Sequence, residues 1–313
     1  MRSWAFAALC FGCSSAPRYS ATVFVDQACA PDGIAADDTA VYWSALCISG
    51  AINRTSIADR TTTVLVPNER HAYALKADDA AVYWETISSL DPHAIDGAIA
   101  TIPKTGGSPT VIASSLPHPG GDADSFFVDD ANVYWSSTGD STLMSVPKSG
   151  ASPPHVLAQA ATAPLIAEDT AYVYWSDGPS AHRVDKQTGE SAVVYKPTHG
   201  VHAIAAHGAT VLICSGMPAD ETVFGLSVST DDLATSPTQL FEGRPDVAVP
   251  PFLIDGSHLY WREGDAIIRS DFDGNDEKWV DLGSDGDVSN FAANSTTLFW
   301  TDNSRWRIYA VPK

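Results

Sequence analysis

The sequence predicts an all-β fold: a seven-bladed β-propeller of four-stranded antiparallel blades, its ring closed by an N-terminal strand. Three observations predict it. A tripeptide recurs about every forty residues, which is the length of one propeller blade. A turn-forming residue stands at a fixed distance before each copy. The chain ends one strand short of a full repeat but begins with one strand to spare.

The tripeptide is Val41-Tyr42-Trp43, repeated as Val82-Tyr83-Trp84, Val133-Tyr134-Trp135 and Val173-Tyr174-Trp175. Leu259-Tyr260-Trp261 and Leu298-Phe299-Trp300 are close variants, and Leu212-Ile213-Cys214 fits the same slot with the aromatics lost. Successive intervals are 41, 51, 40, 39, 47 and 39 residues. Six residues before each Trp, or before Cys214, stand Asp37, Asp78, Asp129, Asp169, Gly208, Asp255 and Asn294. Asp and Asn bond their own backbone in turns and Gly has no Cβ to clash, so this column marks the turn between first and second strands.

The other strands follow from the same spacing. Short apolar runs such as Phe126-Phe127-Val128 and Phe252-Leu253-Ile254 precede the turn. A third strand ends in Ile102-Pro103-Lys104, Val146-Pro147-Lys148 or Val311-Pro312-Lys313, and a fourth is β-branched, as in Thr110-Val111-Ile112-Ala113. Each run is short and bounded by turn residues. No amphipathic helix of useful length is visible. Val311 stands as far beyond Trp300 as Val146 does beyond Trp135, so the chain stops after the third strand of its last blade. Thr22-Val23-Phe24-Val25 supplies the missing fourth strand and hides the two edges an open ring would leave.

In the last blade the tripeptide extends to Leu298-Phe299-Trp300-Thr301-Asp302, and Val173 to Asp177 is a weaker version. Ile268-Arg269-Ser270-Asp271-Phe272-Asp273-Gly274 is similar to the strand and turn that follow such a motif. On these residues the chain resembles the YWTD repeats of low-density-lipoprotein-receptor-type propellers, over roughly residues 21–313. Ser44, Glu85, Ser136 and Arg262 depart from the Thr of that pattern. The resemblance implies the fold and a binding or structural module rather than an enzyme. It implies no ligand. The short leader described next suggests a bacterial exported relative of that family.

Residues 1–20 read as an export leader and short linker, and residues 21–313 as the propeller. Arg2, the apolar run from Trp4 to Gly12 and then Cys13 fit an export signal. Gly12-Cys13 also resembles a bacterial lipobox, which makes Cys13 a lipidation candidate. Both routes, a lipoprotein of the cell envelope and a secreted protein with a cleaved leader, fit the pattern. The net charge of −20 leaves little with which to neutralise phosphates, so nucleic acid is excluded as a partner, and a membrane is met only through a lipid anchor. A monomer is expected. Cys29 and Cys47 flank Asp38 at nine residues on either side, so a hairpin turning at Asp37-Asp38-Thr39 brings them opposite each other as a disulfide. Cys214 is expected as a buried thiol.

Propeller function gathers on the face that carries the blade-to-blade links and the loops between second and third strands. The loop-face candidates are Asp91, His93 and Asp96 in the insertion from Thr86 to Gly97, His118 in that from Ser115 to Asp124, and His199. A third thickening runs from Gly243 to Pro251. The entry to each first strand sits nearest the central channel, and there stand Asp32, His71, Asp122, Asp124, His202 and Asp287. Carboxylates favour calcium or magnesium and imidazoles favour zinc, so His71, Asp122, Asp124 and His202 are the candidate ligands of a divalent cation. No nucleophile elbow, Walker loop, His-Glu-x-x-His or paired Cys-x-x-Cys is present. The principal expectation is an exported binding or scaffold module whose loop face grips a protein, peptide or glycan. The alternative is a metal-dependent lyase or hydrolase at the channel mouth.

Overall fold

The computed structural model describes residues 19–313 except 70, 88–94, 117–125, 138–140, 160–165, 202, 208–209, 218–221, 230–232, 234–235, 244–251, 257, 272–274 and 285. Within the described residues every helix or strand is a strand, and the strands form seven sheets, one per repeat. Blades 1 to 6 span 31–67, 72–116, 126–159, 166–195, 203–243 and 252–281. Blade 7 is built from Asn290–Ala293, Thr297–Asp302 and Arg307–Pro312, with Thr22–Val25 as its fourth strand. Thr22–Val25 lies antiparallel to Arg307–Pro312, so the predicted closure holds, and Phe24 meets Phe299 edge-on at 5.0 Å. A second N-terminal strand was not legible in the sequence. Tyr19–Ser20 runs parallel to Asp276–Asp281 of blade 6, with the Tyr19 ring edge-on to Trp279 at 5.6 Å. The segment therefore stitches blade 6 to blade 7.

The core lies between blades. Side chains alternate across a strand, so Trp and Tyr of one tripeptide face opposite neighbours. Tyr42 shares a cluster with Trp84, Tyr83 with Trp135, Tyr134 with Trp175, and Tyr260 with Trp300. All are buried. Each aromatic removes about 150–250 Å² from water, which is why a ring with no continuous central core is stable.

Blade 5 corrects the sequence alignment by one residue. Its first turn is closed by His207 pairing with Thr210, so the Trp slot belongs to Ile213 and the turn slot to His207, not to Cys214 and Gly208. Ile213 packs with Tyr174 of blade 4, whereas Cys214 packs with Trp261 of blade 6. A one-residue slip in a strand exchanges its two faces, and Leu212-Ile213-Cys214 is apolar at every position, so no polar residue marks the parity. Cys214 is buried as expected and lies outside any disulfide.

The turn column does two jobs. Oδ1 of Asp37, Asp78, Asp129 and Asp169 accepts backbone N–H groups two and three residues on, at 2.7–2.8 Å, and Asn294 does the same at 3.0 and 2.8 Å. Oδ2 accepts the hydroxyl of the tripeptide Tyr: Tyr42 at 3.1 Å, Tyr83 at 2.8 Å, Tyr134 at 2.9 Å and Tyr174 at 2.5 Å. The lysine after the third strand of the following blade then reaches back to the same carboxylate. Lys104 bonds Asp37 at 2.6 Å, Lys186 bonds Asp129 at 2.9 Å, and Lys148 and Lys313 pair with Asp78 and Asp255. Lys104, Lys148 and Lys186 also lie 5.4, 5.4 and 5.0 Å from the rings of Tyr42, Tyr83 and Tyr134. At the closure, Asn294 donates to the Asp37 carbonyl and Ser295 to the Asp38 carboxylate.

Candidate functional site

In an antiparallel meander the first and third turns lie on one face, and the second loop and the blade-to-blade link on the other. The Asp–Lys clamps therefore occupy the turn face, and of the candidates named from the sequence the described Asp32, His71, Asp96, His199 and Asp287 stand on segments of the opposite, loop face.

Three channel-mouth candidates are described, and each is engaged by the fold. Asp32 receives the Asn290 amide on its carbonyl at 3.3 Å, and Thr301 donates to the same carbonyl at 3.1 Å. Asp287 forms an ion pair with Arg262 at 2.7 Å. The Nδ1 of His71 is 3.1 Å from the Ile87 carbonyl, and its ring stacks on Tyr73 at 6.4 Å and 7°. Burial raises the Tyr73 pKa, and the charge of Asp32 raises it further. Asp122, Asp124 and His202 lie outside the described residues, as do Asp91, His93, His118 and Cys13. Among the described residues no group of three or more His, Cys, Asp or Glu side chains is placed to hold a metal ion. Asp32, His71 and Asp287 thus form no such group.

Thr301 and Arg262 share a repeat position, the residue after the Trp slot. From there each reaches the entry of the next blade. Ser44, Glu85, Ser136, Ser176 and Cys214 complete the column. Glu85 is fully buried, the one carboxylate at this position. On the loops themselves His199 is half-buried on the link from blade 4 to blade 5. Asp96 is also half-buried, and its Oδ1 is buried with no hydrogen-bond partner among the described residues.

The link into blade 1 is tightly constrained. Cys29 and Cys47 form the predicted disulfide, with Cα atoms 5.8 Å apart, tying the link to the second loop of blade 1. Gln27, Cys29 and Ala30 all have positive φ, at 55°, 54° and 51°. Ala28 donates its N–H to the Trp306 carbonyl at 2.7 Å, so the second loop of blade 7 is joined to the same link. Non-glycine residues in the left-handed region cost of order 1–3 kcal/mol each and gather at functional sites.

These loops also expose apolar side chains. Ile48, Ile95 and Trp306 are 90%, 67% and 53% exposed. They stand on the second loops of blades 1, 2 and 7, which are consecutive in the ring. Among the described residues the other large exposed apolar side chains, Val23, Val64, Val111, Val156 and Val193, lie on fourth strands at the outer rim. Trp306 has a φ of 57°, in the position before the third strand where blades 1 and 3 place Gly50 and Ser141 at 57° and 55°. A bulky side chain there is an outlier. The sequence signal at Trp306 was a large apolar residue in a loop slot that blades 1, 3 and 4 fill with Gly50, Ser141 and Ser180.

No protein-family model and no curated protein matches the chain in sequence. Solved structures match it in fold. The virginiamycin B lyase of Staphylococcus aureus, in a catalytically inactive form with quinupristin, superposes with a TM-score of 0.70 at 14% identity, over 94% of this chain and 98% of that one. A streptogramin B lyase gives 0.65 at 12% identity, over 91% and 94%. A computationally designed protein, Ika8, gives 0.59 at 12% identity, over 95% and 100%. Identities this low report architecture alone, and by architecture the chain is a seven-bladed β-propeller.

Proposed function

We propose that this protein is an exported binding module, related to YWTD-type propellers, that takes a protein or peptide partner on its loop face. Trp306, Ile48 and Ile95 serve as the apolar anchors. The observation that carries the reading is their exposure on three consecutive blades, around a link fixed by a disulfide and by left-handed residues. Exposed apolar side chains gathered on one face mark interaction surfaces, and aromatic anchors dominate binding energy. Preorganising the loops lowers the entropy lost on binding. The disulfide supports an exported protein, since such bonds persist in oxidising compartments. The test is selection of peptides from a random display library on the full chain, followed by affinity measurement against W306G and I48S. The reading predicts about tenfold or greater weakening in W306G. Equal affinities for wild type and both variants would contradict it.

A second reading, a metal-dependent lyase or hydrolase, is favoured by two carboxylates on the loop-ward side of blade 2: Glu85, fully buried, and Asp96, whose Oδ1 lacks a partner among the described residues. Buried carboxylates serve as general acids and bases. Elemental analysis of the purified protein tests it. A stoichiometric divalent cation (calcium, magnesium or zinc) lost in a His71, His202 double alanine variant supports it, and an equal metal content in both proteins contradicts it.

A further inference from the structure

Trp175 and His182 stand opposite each other on the second and third strands of blade 4, and their rings stack at 4.2 Å and 10°. The Nε2 of His182 is buried and lies 3.0 Å from Oδ2 of Asp177, the residue that opens the second loop. Among the described residues that nitrogen makes no aligned hydrogen bond, so the contact rests on charge rather than on N–H direction. A carboxylate and the face of an indole both present negative potential. An imidazolium gains from each, and a neutral imidazole gains little. Imidazole changes charge between about pH 5 and pH 8.

Asp177 also holds the loop itself. Its Oδ1 accepts the Ser180 N–H at 2.8 Å, and its own N–H donates to the Ser180 carbonyl at 3.1 Å. Gly178 donates to the Ser176 hydroxyl oxygen at 3.0 Å, and its carbonyl accepts the Val201 N–H at 2.6 Å. Val201 stands on the link into blade 5. The approach is close. Gly200 has a φ of 79°, and a Cβ there would stand 3.0 Å from the same Gly178 carbonyl oxygen, so only glycine meets both demands. One carboxylate thus joins the imidazole to the loop, and the loop carries the link.

Among the described residues Asp177 is the charged group in ion-pair reach of His182. Val193 lies opposite His182 on the fourth strand. From blade 3, Tyr134 and Leu143 pack against Trp175, and the Tyr134 hydroxyl is turned to Asp129. His155, on the fourth strand of blade 3, meets Ser145. Arg183 follows His182 in the strand and lies over the Tyr172 ring. His199 is on the link, two residues before Val201, and Asp140 and His202 lie outside the described residues.

We propose that His182 and Asp177 form a pH-responsive latch, which holds the second loop of blade 4 and the link into blade 5 more firmly when the imidazole is protonated. Acid tightens it, because the stability a partnered imidazolium contributes is present at low pH and lost as pH rises through the imidazole range. Blades 4 and 5 lie across the ring from blades 7, 1 and 2, so the latch goes beyond the partner-binding reading and does not rest on it.

Amide hydrogen exchange of the full chain tests it, with each rate divided by that of an unstructured chain at the same pH. Protection of Gly178, Ser180 and Val201 should be about fivefold greater at about pH 5.5 than at about pH 8. The change should follow the His182 ring resonances through their titration. D177N keeps an oxygen for the Ser180 amide, as Asn294 does in its own turn, but lacks the charge. H182F keeps a ring on Trp175 and carries no charge. In both variants protection should differ by less than about twofold between the two pH values, whereas H155N and H199N should keep the wild-type change. Equal protection at both pH values in the wild type, a pH dependence that persists in D177N and H182F, or one that vanishes in H155N or H199N overturns the latch.

Discussion

At Trp306 the backbone conformation and the exposure of the side chain point the same way. A left-handed Trp that is also half in solvent gains little from burial and is strained where Gly50 is at ease. W306G should therefore leave thermal stability equal or raise it by about 1 kcal/mol, while removing partner affinity. A marked drop in melting temperature would show instead that the indole supports the fold. Asp78 illustrates the opposite case, a polar residue that works for stability. Burial alone would raise its pKa, but the hydrogen bonds from Lys148 and from the Ala81 and Ala80 amides outweigh it and hold the carboxyl at about 2, below the ordinary 3.8. A carboxyl depressed by folding contributes stability that is fully present above about pH 4 and is lost as pH falls through about 2. D78N should thus be less stable than wild type by about 1 kcal/mol at neutral pH. Denaturant titrations should show that gap closing between pH 4 and pH 2, and a gap independent of pH would exclude the clamp. The turn role of these aspartates was legible from their spacing before the Trp. Their pairing with Pro-Lys was not, because the partners lie a whole blade apart in sequence.

Among the elements, the second strand of each blade was the easiest to read and blade 5 the hardest. Alternation of Val, Tyr and Trp fixes which side chain faces which neighbour, and the structure keeps that parity in six blades. In blade 5, Val211 to Cys214 offers only apolar residues, and hydrogen-bond register alone distinguishes its faces. The consequence is measurable. W135A, at an aromatic interface, should cost about 3–5 kcal/mol in chemical denaturation, whereas C214A should cost much less because only a thiol is removed. The Cys29–Cys47 link also belongs to this scale. It closes a separation of 18 residues, so a C29S/C47S variant should lose about 3 kcal/mol and release the loops that hold Ile48 and Trp306. Loss of stability without loss of affinity would mean that the link serves the fold alone.

For the whole molecule, the ring, its seven blades and its closing strand were legible, since repetition and a missing strand are properties of the sequence itself. The stitch of Tyr19–Ser20 onto blade 6 was not, because two residues carry no period. Nor was the loop-face patch, since an exposed Ile in a loop has no motif. At the channel mouth Asp287 is held by Arg262, and His71 lies against a backbone carbonyl. The claim that function lies on the loop face near blades 7, 1 and 2 is tested most directly by amide hydrogen exchange of the full chain, with and without a peptide selected on it. The account predicts slowed exchange at 26–30, 46–50 and 303–307, with the turn face unchanged. Protection confined to the turn face, at 37–40 or 168–172, would contradict it.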